Sequence, residues 1–140
     1  MTPADLTLEA ERLLAVGVPF RHQGRTELGM DCAGFALWLV QYTGHWPREY
    51  VDHADYRPGP QEALGDTLAK YCAKAPAPGN GTLVAIRWRP EQPVSHVGYL
   101  AGGDLIHCYK TAGGLVRCRY GEPWVRMTAS AWRIPGVTYE

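Results

Sequence analysis

No stretch of about 18 consecutive apolar residues occurs in the 140-residue chain, so no segment reads as a membrane-spanning helix. No block of like charge occurs either. Fourteen Lys and Arg balance fourteen Asp and Glu, which removes the electrostatic footprint of a nucleic-acid binder or a polybasic membrane-surface segment. The cysteines Cys32, Cys72, Cys108 and Cys118 form no C-x-x-C pair, so a zinc ribbon or a thioredoxin-like redox centre has no support. The N-terminal MTPADLTLEAERLLAVG lacks the basic-then-apolar layout of a signal peptide, and repeats and low-complexity tracts are missing. With nothing marking an oxidising compartment, the four thiols are expected to be reduced.

What is present suits one soluble enzyme-like domain over residues 1–140. Ala4 to Val16 reads as an amphipathic helix with Leu6, Leu8, Leu13 and Leu14 on its apolar side and Gly17 as its stop. A second helix starts at Asp31, an N-cap residue type, and is apolar nearly all round through Val40, so it is expected to be the buried one. Thr43 to Pro60 is a long loop of the kind that lines sites, and Gln61 to Ala73 a third helix. Short apolar runs then alternate with turn signals: Thr82–Trp88, Ser95–Leu100, Leu105–Tyr109 and Leu115–Tyr120, with Ala131–Ile134 closing the sheet. Helices first and antiparallel strands second make an α+β domain with one sheet face over the buried helix.

The chemistry concentrates in two places. Cys32 follows an N-cap position, where unpaired backbone N–H groups and the positive helix end favour thiolate over thiol. In SHVGYLAGGDLIHCYK, His96 and His107 flank a Gly-Gly turn, and a two-residue loop puts both on one sheet face. If that face also carries the helix of Cys32, thiol, imidazole and second imidazole line up as nucleophile, base and orienter. A packed-core cysteine and satisfied strand histidines are the structural alternative. A metal site from Cys32, His96 and His107 is another, weakened by the missing fourth ligand. His45 and His53, in the loop, are expected to be exposed. A three-residue turn through Ala112, Gly113 and Gly114 would set Cys108 opposite Cys118, on the face away from His107.

With these motifs placed, the chain resembles the NlpC family of cell-wall cysteine peptidases. That family's pattern is a G-x-P-aromatic loop, D-C-x-G opening a helix, H-V-G on a strand and a polar residue on the next strand. The counterparts here are GVPF, DCAGF, SHVGYL and LIHCY, spanning Gly17 to Tyr109. The resemblance implies a papain-like fold with the nucleophile helix packed on an antiparallel sheet, Cys32 as nucleophile, His96 as base and His107 as the third polar residue. It implies peptidoglycan as substrate, cut at the amide between the D-glutamate side-chain carboxyl and the next diamino acid, with no metal or organic cofactor. Phe20, His22, Gln23 and Asp31 would lie at the substrate or oxyanion side, Asp31 foremost as helix cap, and Arg21 and Arg25 near stem carboxylates. Phe20 departs from the tyrosine common there.

The stretch PFRHQGR resembles the bacteriophage-tail and gene-transfer-agent branch, which implies tail or tail-tip proteins as partners and a virion-tail location. Two rival functions share these residues: a structural tail-tip component with a vestigial peptidase fold, and a thiol acyltransferase or deamidase effector.

Overall fold

The computed structural model describes residues 1–46, 51, 52, 54–59 and 61–139, so His53 lies outside the described residues. Helix α1 (Pro3–Val16) opens with a reciprocal cap. The Thr2 hydroxyl accepts the Asp5 N–H at 3.2 Å while the Asp5 carboxylate accepts the Thr2 N–H at 2.8 Å. Gly17 ends the helix in the left-handed region at φ 78°. Leu6, Ala10 and Leu13, at helical spacing, are buried. Leu8, expected on that apolar side, is 66% exposed instead, because two residues turn a helix by about 200°. The turn brings Glu9 inward, where Arg12 and the Trp38 indole N–H satisfy its carboxylate, each at 2.7 Å.

A short hairpin, β1 (Arg25–Thr26) and β2 (Gly29–Met30), delivers the chain to Asp31. Helix α2 (Cys32–Tyr42) starts there, with the Asp31 carboxylate accepting the Gly34 N–H at 2.8 Å. Phe35, Ala36, Leu39 and Val40 are buried against α1 and the sheet. The glycine of D-C-x-G has a steric reason: a Cβ on Gly34 would lie 2.1 Å from the Gly24 carbonyl oxygen. The hairpin can therefore press onto the first turn of α2 only over a residue without a side chain.

Helix α3 (Glu62–Tyr71) is shorter than the sequence implied. Cys72 turns extended, and Ala73 belongs to a strand, β3 (Ala73–Ala75). Strands β4 (Leu83–Ile86), β5 (His96–Ala101), β6 (Asp104–Tyr109) and β7 (Gly114–Arg119) follow, then a one-turn helix α4 (Trp124–Met127) and β8 (Thr128–Arg133). The sheet order is β3-β8-β4-β5-β6-β7, antiparallel throughout. The last strand does not close the sheet at an edge; it inserts between β3 and β4. The result is the α+β architecture expected. Among the described residues no helix is long and apolar enough to cross a membrane.

Alternation along the strands gives the sheet two apolar faces. Ala85, Val97, Tyr99, Ile106 and Cys108 pack on Leu6, Leu13, Phe35 and Leu39 from the helices. Ile86, Leu100 and Leu105 face the other way, under Cys118, Tyr120, Trp124 and Met127. Gly102 and Gly103 form the two-residue turn of the β5–β6 hairpin, with Ala101 opposite Asp104. The β6–β7 turn departs from expectation. Tyr109 pairs with Gly114, leaving residues 110–113 as a four-residue turn, so Cys108 faces Leu115 and Cys118 faces Leu105. The register moves by three residues, an odd number, and Cys118 flips onto the face that carries His107. All four cysteines are free thiols.

Candidate active site

Ile86 pairs with His96, and His96, Gly98 and Leu100 therefore point to one side of β5. His107 stands across from Gly98: a Cβ there would come within 3.2 Å of the His107 Cβ and 2.4 Å of Leu105 Cδ1. The two imidazoles thus share a face as the hairpin parity requires, and they touch, His96 Nε2 lying 2.7 Å from His107 Nδ1. That face is not the one covered by α1 and α2. The odd residues Val97 and Tyr99 take the helix side, so the histidines stand on the opposite surface, beside Trp124 of α4.

Thiol and imidazole nonetheless come to one place, because His96 is the first residue of β5 and Cys32 the first of α2. The Cys32 sulfur lies 3.9 Å from the carbonyl oxygen of Ser95, the residue before His96. Cys32, Ser95 and His96 line one cleft of about 480 Å³, together with Phe20, Asp31 and Trp88. In this resting arrangement the Cys32 thiol is bonded to the Ser95 carbonyl, not to His96, and His96 Nδ1 makes no hydrogen bond among the described residues. The Ser95 hydroxyl is buried at the same spot without a partner among those residues.

Electrostatics here differ from the thiolate expected at a helix start. Burial, then the Asp31 carboxylate, push the Cys32 thiol up to about 12, against the N–H groups of Val97, Ala33 and Cys32 itself. Burial, then the neighbouring His107, bring His96 down to about 3, and burial brings His107 down to about 4. His96 is 4% and His107 1% exposed, so water cannot compensate a charge on either. Both shifts favour the uncharged forms, a thiol beside a neutral imidazole. Alkylation of Cys32 by iodoacetamide, mapped by peptide mass, is therefore expected to rise about tenfold per pH unit up to pH 9. A plateau between pH 5 and 7 would instead reveal a thiolate–imidazolium pair.

Aromatic rings make the histidine side dry. Trp88 stacks on His96 with centroids 5.5 Å apart, Tyr109 stacks on His107 at 5.2 Å, and Trp124 meets His107 edge-on at 4.8 Å. No motif in the sequence marks these three residues. Their nearest signal was the hairpin parity itself, since Tyr109 lies two positions beyond His107 on the same face.

The remaining candidates divide. Asp31 is buried and accepts from Gly34 N–H, Gln23 N–H at 2.9 Å, Arg25 at 3.0 Å and the Tyr56 hydroxyl, so its role as structural cap stands on four donors. Phe20 lines the cleft. His22 also lines it, is exposed, and its Nε2–H donates to the Tyr56 carbonyl at 2.9 Å. Gln23 is not placed as an oxyanion donor: its side-chain amide also donates to the Tyr56 carbonyl. Arg25 is engaged by Asp31 and, at 2.9 Å, Asp52, which leaves Arg21 as the exposed cation of this loop. His45 is exposed as expected. Tyr56 was hidden in the long loop, where no periodicity singles out one aromatic.

A cysteine opening a buried helix, set against an antiparallel sheet with paired histidines at its end, defines the papain-like class of α+β proteins. Residues 17–133 match the NlpC/P60 family, and the chain belongs to it. The NlpC/p60 domain of the peptidoglycan hydrolase SagA is similar in structure, with a TM-score of 0.60 and 17% identity over 94% of this chain and 98% of that one. An NlpC/P60 family protein from Bacillus cereus ATCC 10987 gives 0.61 and 18%, and NlpC1 from Trichomonas vaginalis 0.56 and 18%. They cover 89% and 90% of this chain, which spans 40% and 44% of their lengths. No curated protein matches the sequence.

Proposed function

We propose that the protein is a cysteine endopeptidase of peptidoglycan, cutting the amide between the D-glutamate side-chain carboxyl and the adjoining diamino acid. The supporting observation is that Cys32 and His96 line one cleft, with His107 bonded to His96 at 2.7 Å. The SagA domain, covered almost whole by this chain, is described as part of a peptidoglycan hydrolase. Because the resting pair is neutral, attack is general-base assisted: His96 Nδ1 takes the thiol proton as the sulfur–carbon bond forms. The backbone N–H of Cys32 faces the developing oxyanion, a contribution of roughly 3 kcal/mol per donor where such groups have been removed. The imidazolium then protonates the leaving amine, and water releases the acyl group from Cys32. His107 orients His96.

The same proposal places the enzyme at a phage tail tip or a gene-transfer-agent tail, where tail proteins would hold it; its support is the wording of residues 19–25. Acyl transfer to or from an apolar substrate is a second reading, favoured by the cleft walls beyond Cys32, where Ala36, Leu37, Val40, Leu64 and Val94 gather. Incubation of the protein with purified sacculi separates the two. The expected products are muropeptides with new D-glutamate carboxyl and diamino-acid amine termini by mass. Intact sacculi after prolonged incubation would contradict the peptidase.

A further inference from the structure

The proton arrangement of the histidine pair requires one more partner. For His96 to act as base its lone pair must be on Nδ1, because Nε2 is engaged by His107 at 2.7 Å. A neutral imidazole with a bare Nδ1 carries its proton on Nε2, and that proton must then be donated to His107 Nδ1. His107 Nδ1 is consequently an acceptor, and the His107 proton sits on Nε2. The sulfur 3.8 Å from His107 Nε2 is that of Cys118.

We infer that Cys118 is a positioning residue of the site, its sulfur accepting the His107 Nε2–H and so holding both imidazoles in the tautomer that leaves His96 Nδ1 able to take the Cys32 proton. The inference rests on His96 being the base.

The surroundings support a sulfur acceptor rather than a thiol donor. If Cys118 S–H donated to Nε2, His107 would carry its proton on Nδ1, His96 would have to accept it on Nε2, and the proton left on His96 Nδ1 would block the base. Tyr109 stacked on His107 and Trp124 against its edge pack the ring in this orientation. The charged group nearest Cys118 in its electrostatics is Asp104, already bound by Arg117 at 2.8 Å. Of the tyrosines packed here, Tyr109 stacks its ring on His107 and Tyr120 bonds Thr128 at 2.6 Å. Cys118 therefore offers His107 a partner from its half-buried place on β7.

Long-range proton–nitrogen correlation spectra of protein labelled with 15N histidine read the tautomers directly at pH 7, without substrate. Both His96 and His107 are expected to show a protonated Nε2 and a bare Nδ1. In Cys118→Ala the His107 signals should move toward a mixture of tautomers and those of His96 with them. Cys118→Ser, whose hydroxyl can accept the same proton, should restore the parent pattern. On sacculi, Cys118→Ala should lower kcat three- to tenfold with KM unchanged and reshape the pH profile, and Cys118→Ser should recover most of the rate. A parent His107 protonated on Nδ1, or nitrogen shifts unmoved in Cys118→Ala, overturns the inference. If the parent protein leaves sacculi intact, the proposed function fails while the spectra still decide the role of Cys118.

Discussion

Cys32→Ser is expected to abolish digestion of sacculi, lowering the rate by several orders of magnitude, while the protein folds with unchanged thermal stability. Serine nearly preserves volume at the first residue of α2, and the cap formed by Asp31 on Gly34 does not involve the side chain it replaces. The hydroxyl is a far weaker acid than the thiol, however, and His96 sits in a site dry enough to hold its own basicity down to about 3. The same base therefore faces a larger uphill proton transfer from the hydroxyl than from the thiol. The comparison is read from the rate of new amine termini and from a melting curve of each protein. Retained cleavage in the serine variant would remove Cys32 from the mechanism.

A second large effect is expected in stability below neutral pH. His96 and His107 ionise near 6.5 when unfolded and only near 3 and 4 when folded. Between those values the unfolded chain binds protons that the folded one refuses, so stability is fully present above 6.5 and is lost as pH falls. Because the two imidazoles are bonded to each other their losses do not simply add, and the combined loss between pH 7 and pH 5 is on the order of a few kcal/mol. Glu9 does not confuse the window. Arg12 holds its carboxylate below the ordinary range, so its contribution disappears only at more acid pH. Urea midpoints measured at pH 7, 6 and 5 should fall steadily. Identical midpoints would mean that the two imidazoles accept protons in the folded state.

How much of this was legible in the sequence depended on the range of the interaction concerned. Asp31 as cap, the start of α2 beside it, and the parity that brings His96 to His107 are local properties of a few residues and a two-residue turn. The order of the sheet is not local. Nothing in Ala73–Ala75 or Thr128–Arg133 announces that they pair with each other and that the latter inserts beside β4. The same limit explains Cys118: one turn three registers out changes the face of a whole strand, and turn length between Tyr109 and Gly114 is weakly encoded when two glycines adjoin.

Electrostatics were the least legible. A helix start argues for a thiolate, yet burial under the β5 end and the charge of Asp31 outweigh it, and only the packed structure reveals the balance. The family motifs indicated which residues converge. Trp88, Tyr109 and Trp124, which set the dryness of the place where they converge, carried no motif.

The central claim is that the Cys32 sulfur attacks an amide carbonyl and carries the acyl half of the substrate. It is tested most directly by quenching the enzyme in acid during turnover of purified muropeptide and mapping the adduct by peptide mass. A thioester on the peptide containing Cys32, carrying the fragment that ends in D-glutamate and missing from Cys32→Ser, is the result predicted. Cleavage that proceeds with Cys32 unmodified at every quench time, or an adduct on Cys72, Cys108 or Cys118 instead, would contradict it.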